Sequence, residues 1–230
     1  MRRLLTALLC LPFLILPVRA APGSRYVALT FDDGPSGKYT RALLDGLYDR
    51  GAKATFLLCG YRVKDYPEIA QRILEEGHEI GYHGYSHDSM KTMSRRGIAR
   101  ELMDTEALLP EGCRPAFLRP PGGFSSDAVQ QVAQARGLAI LHWSVDPHDW
   151  EIHNEQAIEK AVLSQVQDGD IILLHDMSTA SVEAALDIVD ALLKADFEFV
   201  TVSELARLRG LRPRPGEVYH KFPPVDREMK

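Results

Sequence analysis

The chain has 230 residues, 27 basic against 32 acidic side chains and an apolar share of 45%, the profile of one ordinary domain with room for a core. A net charge of −5, with no basic patch interleaved with aromatics, speaks against a nucleic-acid binder.

The first 20 residues stand apart. Arg2 and Arg3 precede an apolar run at 4–16 (LLTALLCLPFLIL), and Val18-Arg19-Ala20 offers a small residue at a cleavable point. That is the layout of a secretory signal peptide, and its apolar core is too short to span a bilayer comfortably. Residues 1–20 are therefore expected to leave, taking Cys10 with them, so that no stable membrane span remains; an uncleaved anchor is the weaker alternative. The remaining chain would carry 24 basic against 32 acidic residues, a balance of −8, and would work outside the cytoplasm, secreted or in the cell envelope.

Further along, apolar or β-branched runs recur at 26–31, 54–59, 79–83, 116–119, 138–145, 170–175 and 197–202. Stretches with helical spacing separate them. After the first run Leu43, Leu44, Leu47 and Tyr48 share a face; after the sixth, Val182, Ala185, Leu186, Val189, Leu192 and Leu193 do the same. Gly51, Gly77 and Gly137 are placed to close three helices. Seven strand–helix units without an antiparallel interruption predict an α/β fold, a parallel sheet closed or nearly closed into a barrel. Residues 21–210 form this single domain, for which a monomer is expected. Residues 211–230 carry Pro213, Pro215, Pro223 and Pro224 among charges without periodicity, and are expected to be a C-terminal tail, lying over the domain or disordered.

In a barrel of parallel strands, chemistry gathers at the carboxyl ends of the strands. The unusual polar residues fall there: Asp32 and Asp33 after the first strand, His83 and His87 after the third, Arg119 after the fourth, Asp146 and Asp149 after the fifth, His175 and Asp176 after the sixth. Cys59 ends the second strand whereas Cys113 precedes the fourth, so the two should sit at opposite rims as free thiols.

Two imidazoles four residues apart, in His83-Gly-Tyr-Ser-His87, can face one cation. A zinc peptidase of the zincin type would place Glu after the first histidine as its base; Gly84 stands there instead. One carboxylate of the Asp32-Asp33 pair can complete the ligand set, which offsets the repulsion between them, while the other remains beside an activated water as general base. Asp-Asp-Gly-Pro could alone be only a turn. His175 would face the cation as the acid for a leaving amine, with Asp146 holding its ring, and Asp176 is an alternative cap for the next segment. Arg119 would fix Asp32 in its ionised form, and Gly122 leaves a backbone N–H open to a substrate oxygen. Trp150 could form a wall for a sugar ring; Trp143 reads as core, and His148 and His153 as surface.

With those residues in hand, the chain resembles the polysaccharide deacetylases of the NodB-homology type, carbohydrate esterase family 4, over about residues 24–209. The motifs Thr30-Phe31-Asp32-Asp33-Gly34-Pro35, His83-x-x-x-His87, Arg119-Pro120-Pro121, Asp146-x-x-Asp149-Trp150 and Leu173-x-His175 occur in the family's order. The resemblance implies a distorted seven-stranded (β/α) barrel. It implies a divalent metal ion, zinc first and cobalt or manganese as alternatives, on Asp33, His83 and His87. It implies Asp32 as base, His175 as acid, Arg119 holding the base, Asp146 tuning the acid, and Leu173 with Trp150 as the groove for the acetyl methyl. The reaction implied is hydrolysis of N-acetyl groups on amino sugars of a glycan, peptidoglycan first and chitin oligomers as the rival. Two motifs depart from the family's pattern: Tyr82 and Gly84 flank the first histidine where Asn and Ser or Thr are usual, and Gly122 replaces an aromatic. Neither removes a ligand, base or acid, which leaves little room for a non-catalytic glycan-binding barrel.

Overall fold

The computed structural model describes residues 24–224, so the expected signal segment lies outside the described residues. Chain order is β1 (Arg25–Asp32), α1 (Gly37–Asp49), β2 (Ala54–Leu58), α2 (Gly60–Asp65), α3 (Pro67–Glu75), β3 (Glu79–Tyr82), α4 (Arg95–Glu106), β4 (Phe117–Leu118), a 3-10 turn (Pro121–Gly123), α5 (Asp127–Ala135), β5 (Ala139–Leu141), α6 (Glu155–Leu163), β6 (Ile171–His175), α7 (Thr179–Lys194), β7 (Phe197–Phe199), α8 (Val202–Leu208) and β8 (Val218–Tyr219). Side chains of Ser36, Ser94, Ser126, Asn154, Ser178 and Thr201 cap helices by accepting from first-turn amides, which satisfies donors the helix leaves free.

The strands run parallel in the order β6-β1-β2-β3-β4-β5-β8, with β7 pairing the first residues of β1. The sheet curls until Val145, just past β5, bridges to Ile172 on β6, where the Leu173 N–H donates to the Val145 carbonyl at 3.0 Å. The result is the distorted seven-stranded (β/α) barrel, with one strand more than the sequence pattern shows. Helices cover the outside, so β2 is buried throughout and β1 at every residue after Arg25, rather than on alternate residues.

The extra strand corrects the expectation for residues 211–230, because the described part of that segment is built into the fold. Val218–Tyr219 pairs with β5, Lys221 bridges Asp170, and Phe222 is fully buried. Phe222 N–H donates to the Gly169 carbonyl at 2.8 Å, and a Cβ at Gly169 would fall 2.1 Å from the Phe222 carbonyl oxygen, so only glycine fits. A two-residue strand among prolines has no periodicity for a sequence pattern to register.

Strand pleat decides what enters the barrel. Val27, Leu29 and Phe31 of β1 face the helices, in the cluster containing Leu43, Leu47, Val182 and Ile188. Tyr26 and Ala28 face inward with Leu57, Phe117 and Leu141, and the same parity sends Thr30 and Asp32 inward. Asp32 lies in register with His175 of β6. Cys59 and Cys113 are both free and buried, as expected.

Candidate active site

Arg119 is the largest fully buried side chain and organises the mouth of the barrel. Its Nη1 donates to Asp32 Oδ1 at 2.6 Å and to Thr30 Oγ1 at 2.8 Å, its Nη2 to the His142 carbonyl at 2.9 Å and its Nε to the Leu141 carbonyl at 3.3 Å. A buried guanidinium needs such complete pairing, and it holds one oxygen of Asp32 while Oδ2 stays free of it. The Arg119 main chain also acts: its carbonyl lies 2.8 Å from His83 Nδ1. A carbonyl only accepts, so Nδ1 carries a proton, and the neutral tautomer has its lone pair at Nε2.

That lone pair faces Asp33. The chain turns left-handed at Asp33 (φ 69°) directly after β1, which aims its carboxylate at both imidazoles. Asp33 Oδ1 lies 3.3 Å from His83 Nε2 and 3.0 Å from His87 Nε2. Burial would raise the Asp33 pKa, but the two facing imidazoles hold it well below the usual carboxylate range, and Asp33 in turn raises the pKa of His87. Asp33 Oδ1 nonetheless has no hydrogen-bond partner among the described residues. With both rings neutral, their Nε2 lone pairs and this oxygen would repel, and a cation shared among them would relieve that repulsion. One ligand atom each from Asp33, His83 and His87 fall within 4.8 Å of one another, which suits zinc or another divalent ion.

On the other flank, His175 lies next to Asp32 across the β1–β6 ladder. Its Nδ1 is 2.8 Å from Asp149 Oδ1, and its backbone N–H donates to Asp149 Oδ2 at 2.8 Å. Burial opposes a charged imidazole there, but Asp149 outweighs it, helped by Asp32 and Asp33, and the His175 pKa is pushed up to about 9. This corrects the expectation for Asp146, whose Oδ1 accepts from the His148 N–H at 2.9 Å. His148 is left-handed (φ 56°), and the tight turn over 146–149 delivers the second aspartate of the motif, fully buried, to the imidazole.

Asp176 is no helix cap either; Ser178 caps α7. The Asp176 carboxyl is buried under the Asp33-Gly34 turn, accepts from Thr40 Oγ1, and has its pKa raised by burial to about 7. A Cβ at Gly34 would lie 2.7 Å from its Oδ1, so the turn and the carboxyl pack without a gap.

A cavity of about 420 Å³ opens over these groups, lined by Asp32, Asp33, His83, His87, His175 and Asp146, with Gly122, Leu173, Trp143 and Trp150 as walls. Every candidate site residue except Arg119 and Asp149, which act from beneath it, faces the cavity. Trp150 is 56% exposed and takes the edge of His148 at 5.9 Å; Leu173 is buried at the floor. Trp143 does both: it packs against the inner core cluster, as its apolar run suggests, and also walls the cavity, 5.5 Å from the Arg119 guanidinium and in the space a Cβ at Gly123 would need.

A buried carboxylate held by arginine, an imidazole held by aspartate and three side chains that could share a cation meet at one barrel mouth. The polysaccharide deacetylase family model matches residues 19–141. The peptidoglycan-N-acetylmuramic acid deacetylase of Bacillus subtilis is 36% identical over 83% of this chain. The chain spans only 41% of that longer protein, whose solved structure superimposes at a TM-score of 0.79, over 83% of this chain and 94% of the solved one, at 35% identity. A chitooligosaccharide deacetylase of Sinorhizobium fredii is 37% identical over 83% of this chain and 86% of its own length. A family 4 acetyl xylan esterase of Clostridium thermocellum, solved with a cobalt ion, superimposes at 0.81 with 35% identity, covering 86% of this chain and all of that one. The chain belongs to the polysaccharide deacetylase family, and with it to the hydrolases.

Proposed function

We propose that this protein is a metal-dependent N-deacetylase of peptidoglycan acting in the cell envelope. The observation that carries the chemistry is that one cavity holds a carboxylate and an imidazole, each gripped from behind by its own partner. Arg119 holds one oxygen of Asp32 and leaves the other free, and Asp149 holds His175 and raises its pKa to about 9. Asp33, His83 and His87 would hold the cation, which when bound supplies a Lewis acid for the acetamide carbonyl and lowers the pKa of water beside it.

Asp32 Oδ2, free of Arg119, takes the proton from the attacking water. The Arg119 carbonyl accepts the Nδ1 proton of His83, so the neutral tautomer offers Nε2 to the cation. His175 donates from Nε2 to the amide nitrogen as its bond to the acetyl carbon breaks; Asp149 stabilises the charge before and holds the ring after. The Gly122 N–H is offered as a donor to the developing oxyanion. Buried Leu173 receives the methyl, and exposed Trp150 lies under the sugar ring. Acetate and a free amino sugar result.

Peptidoglycan is supported by the Bacillus subtilis relative, and an envelope location by the leader-like segment at 4–16, while no helix among the described residues is long and apolar enough to cross a membrane. The Sinorhizobium relative makes chitin oligomers the second reading. Incubation with purified peptidoglycan and with GlcNAc oligomers, with and without chelator, tests both. Loss of one acetyl mass from muropeptides, restored by zinc, is expected. Release from chitin oligomers alone would transfer the reading to the second substrate, and no release from either under any metal would end it.

A further inference from the structure

The two histidines that face Asp33 belong to a loop, not to a regular element, and one of them is held in an unfavourable conformation. His87 has a φ of 65°, costly for a residue with a Cβ, and Gly84 one of 84°. Such a loop keeps its shape only if its surroundings impose it.

Four of its backbone groups are held from outside. The N-terminus of α2 supplies two donors: Gly60 N–H to the Gly84 carbonyl at 3.0 Å and Tyr61 N–H to the Tyr85 carbonyl at 3.1 Å. Helix α4 supplies the rest. Thr105 Oγ1 donates to the Gly84 carbonyl at 3.0 Å. Glu101, one turn earlier on the same face, receives at Oε2 the Tyr85 N–H at 2.7 Å, the Ser86 N–H at 2.8 Å and the Ser86 Oγ at 3.0 Å. Three donors meet on one carboxylate oxygen, and all come from Tyr85 and Ser86, between the two histidines in the chain. A Cβ at Gly84 would come within 3.3 Å of that same oxygen, so a side chain at this position would crowd Glu101. Glu101 does not line the cavity and cannot touch a substrate there.

We infer that Glu101 is a positioning residue for the cation site. By tying the Tyr85 and Ser86 amides to α4, it sets the separation of His83 Nε2 and His87 Nε2, and thereby the affinity for the ion. The inference rests on Asp33, His83 and His87 being the ligands. Charge-assisted bonds from two adjacent amides are the kind of contact that overcomes a left-handed histidine, and no other side chain among the described residues reaches those amides. Gln at this position can present its amide oxygen to the same three donors; Ala cannot.

The test is zinc titration of cation-stripped protein by calorimetry, with the cobalt absorption spectrum as a second readout. Glu101→Ala should bind zinc about 10- to 100-fold more weakly, the usual effect of losing support behind a ligand, and should alter the cobalt spectrum. Glu101→Gln should stay within about threefold of the parent. Thr105→Val, which removes one of the two donors on the Gly84 carbonyl and leaves the Glu101 carboxylate in place, should show a smaller loss and covers the case in which Glu101→Ala does not fold. Equal zinc affinity and an unchanged spectrum in Glu101→Ala would overturn the inference while leaving the ligand set intact. Equal losses in the Ala and Gln variants would overturn it too, since only the first removes the acceptor. A parent protein that takes up no zinc would end both the inference and the metal reading.

Discussion

The two ends of the barrel use the same kinds of side chain to opposite effect. At the amino end Glu79 and Thr55 are closed into a set of protein partners, and His78 accepts a backbone donor. Thr55 Oγ1 and Ser203 N–H each donate to Glu79 Oε2 at 3.0 Å, Ser203 Oγ donates to Oε1, and Ala54 N–H donates to His78 Nδ1 at 3.1 Å. At the carboxyl end Asp33 Oδ1 faces imidazole nitrogens without a hydrogen bond, and the free oxygen of Asp32 lies 3.8 Å from His83 Nε2. Buried polar groups that satisfy each other report on folding; buried polar groups arranged so that they do not report on a ligand.

That contrast can be broken at several points. The largest effect is expected from Asp32→Asn, which preserves shape but removes the proposed base: acetate release should fall by about 10²–10⁴-fold while zinc binding persists. Retained activity would mean that Asp32 is not the base.

The next effect is on the pH profile. Burial alone would lower the His175 pKa, but Asp149 and its acidic neighbours lift it to about 9, so the acid form is lost and kcat falls as pH rises through that value. A cation on Asp33 repels the imidazolium, which places the limb of the loaded enzyme at or below about 9. Asp149→Asn should move it further toward the ordinary histidine range. Stability from the pair is fully present below the unfolded value of about 6.5 and lost as pH rises through about 9. An unmoved limb in Asp149→Asn would remove Asp149 from this role.

At the amino end the sign reverses. Burial, with Lys53 and Arg72 nearby, lowers the His78 pKa to about 4. The unfolded chain takes up a proton below about 6.5 that folded His78 refuses until about 4, so stability falls across that window by about 3 kcal/mol at most. Urea midpoints measured from pH 7 to 4 should flatten in His78→Asn. Glu79→Ala strands the Thr55 and Ser203 donors and should cost about 1–3 kcal/mol, with kcat unchanged in folded protein. A fall in kcat like that of Asp32→Asn would dissolve the distinction between the two ends. Smallest is Trp150→Ala, for which loss of an exposed aromatic platform should raise KM about 2- to 10-fold and leave kcat alone.

How much of this could be read in advance depends on whether a residue acts where its strand points it. Asp32, Asp33, His83, Arg119 and His175 are legible because they sit at or just past strand ends, where parity and the parallel-barrel rule place them. Asp149 was displaced by Asp146 in the sequence reading because both follow β5, and only the left-handed turn at His148 decides which reaches His175. Trp143 reads as core because it continues an apolar run, and it does pack against the inner cluster; the run leaves the ladder at Leu141, and the ring also walls the cavity. Glu101 lies on a helix with nothing unusual in its spacing, and a bond to a loop distant in sequence has no local signature.

Burial of Phe222 makes the C-terminal segment a seam rather than an appendage. Ending the chain at 210 would unzip β8 from Ile140 and Leu141 and uncover the socket above Gly169. The bared rim of β5 would then recruit other molecules. Truncates designed on sequence pattern alone should clump, whereas ones ending at 224 should keep the staves of the barrel together.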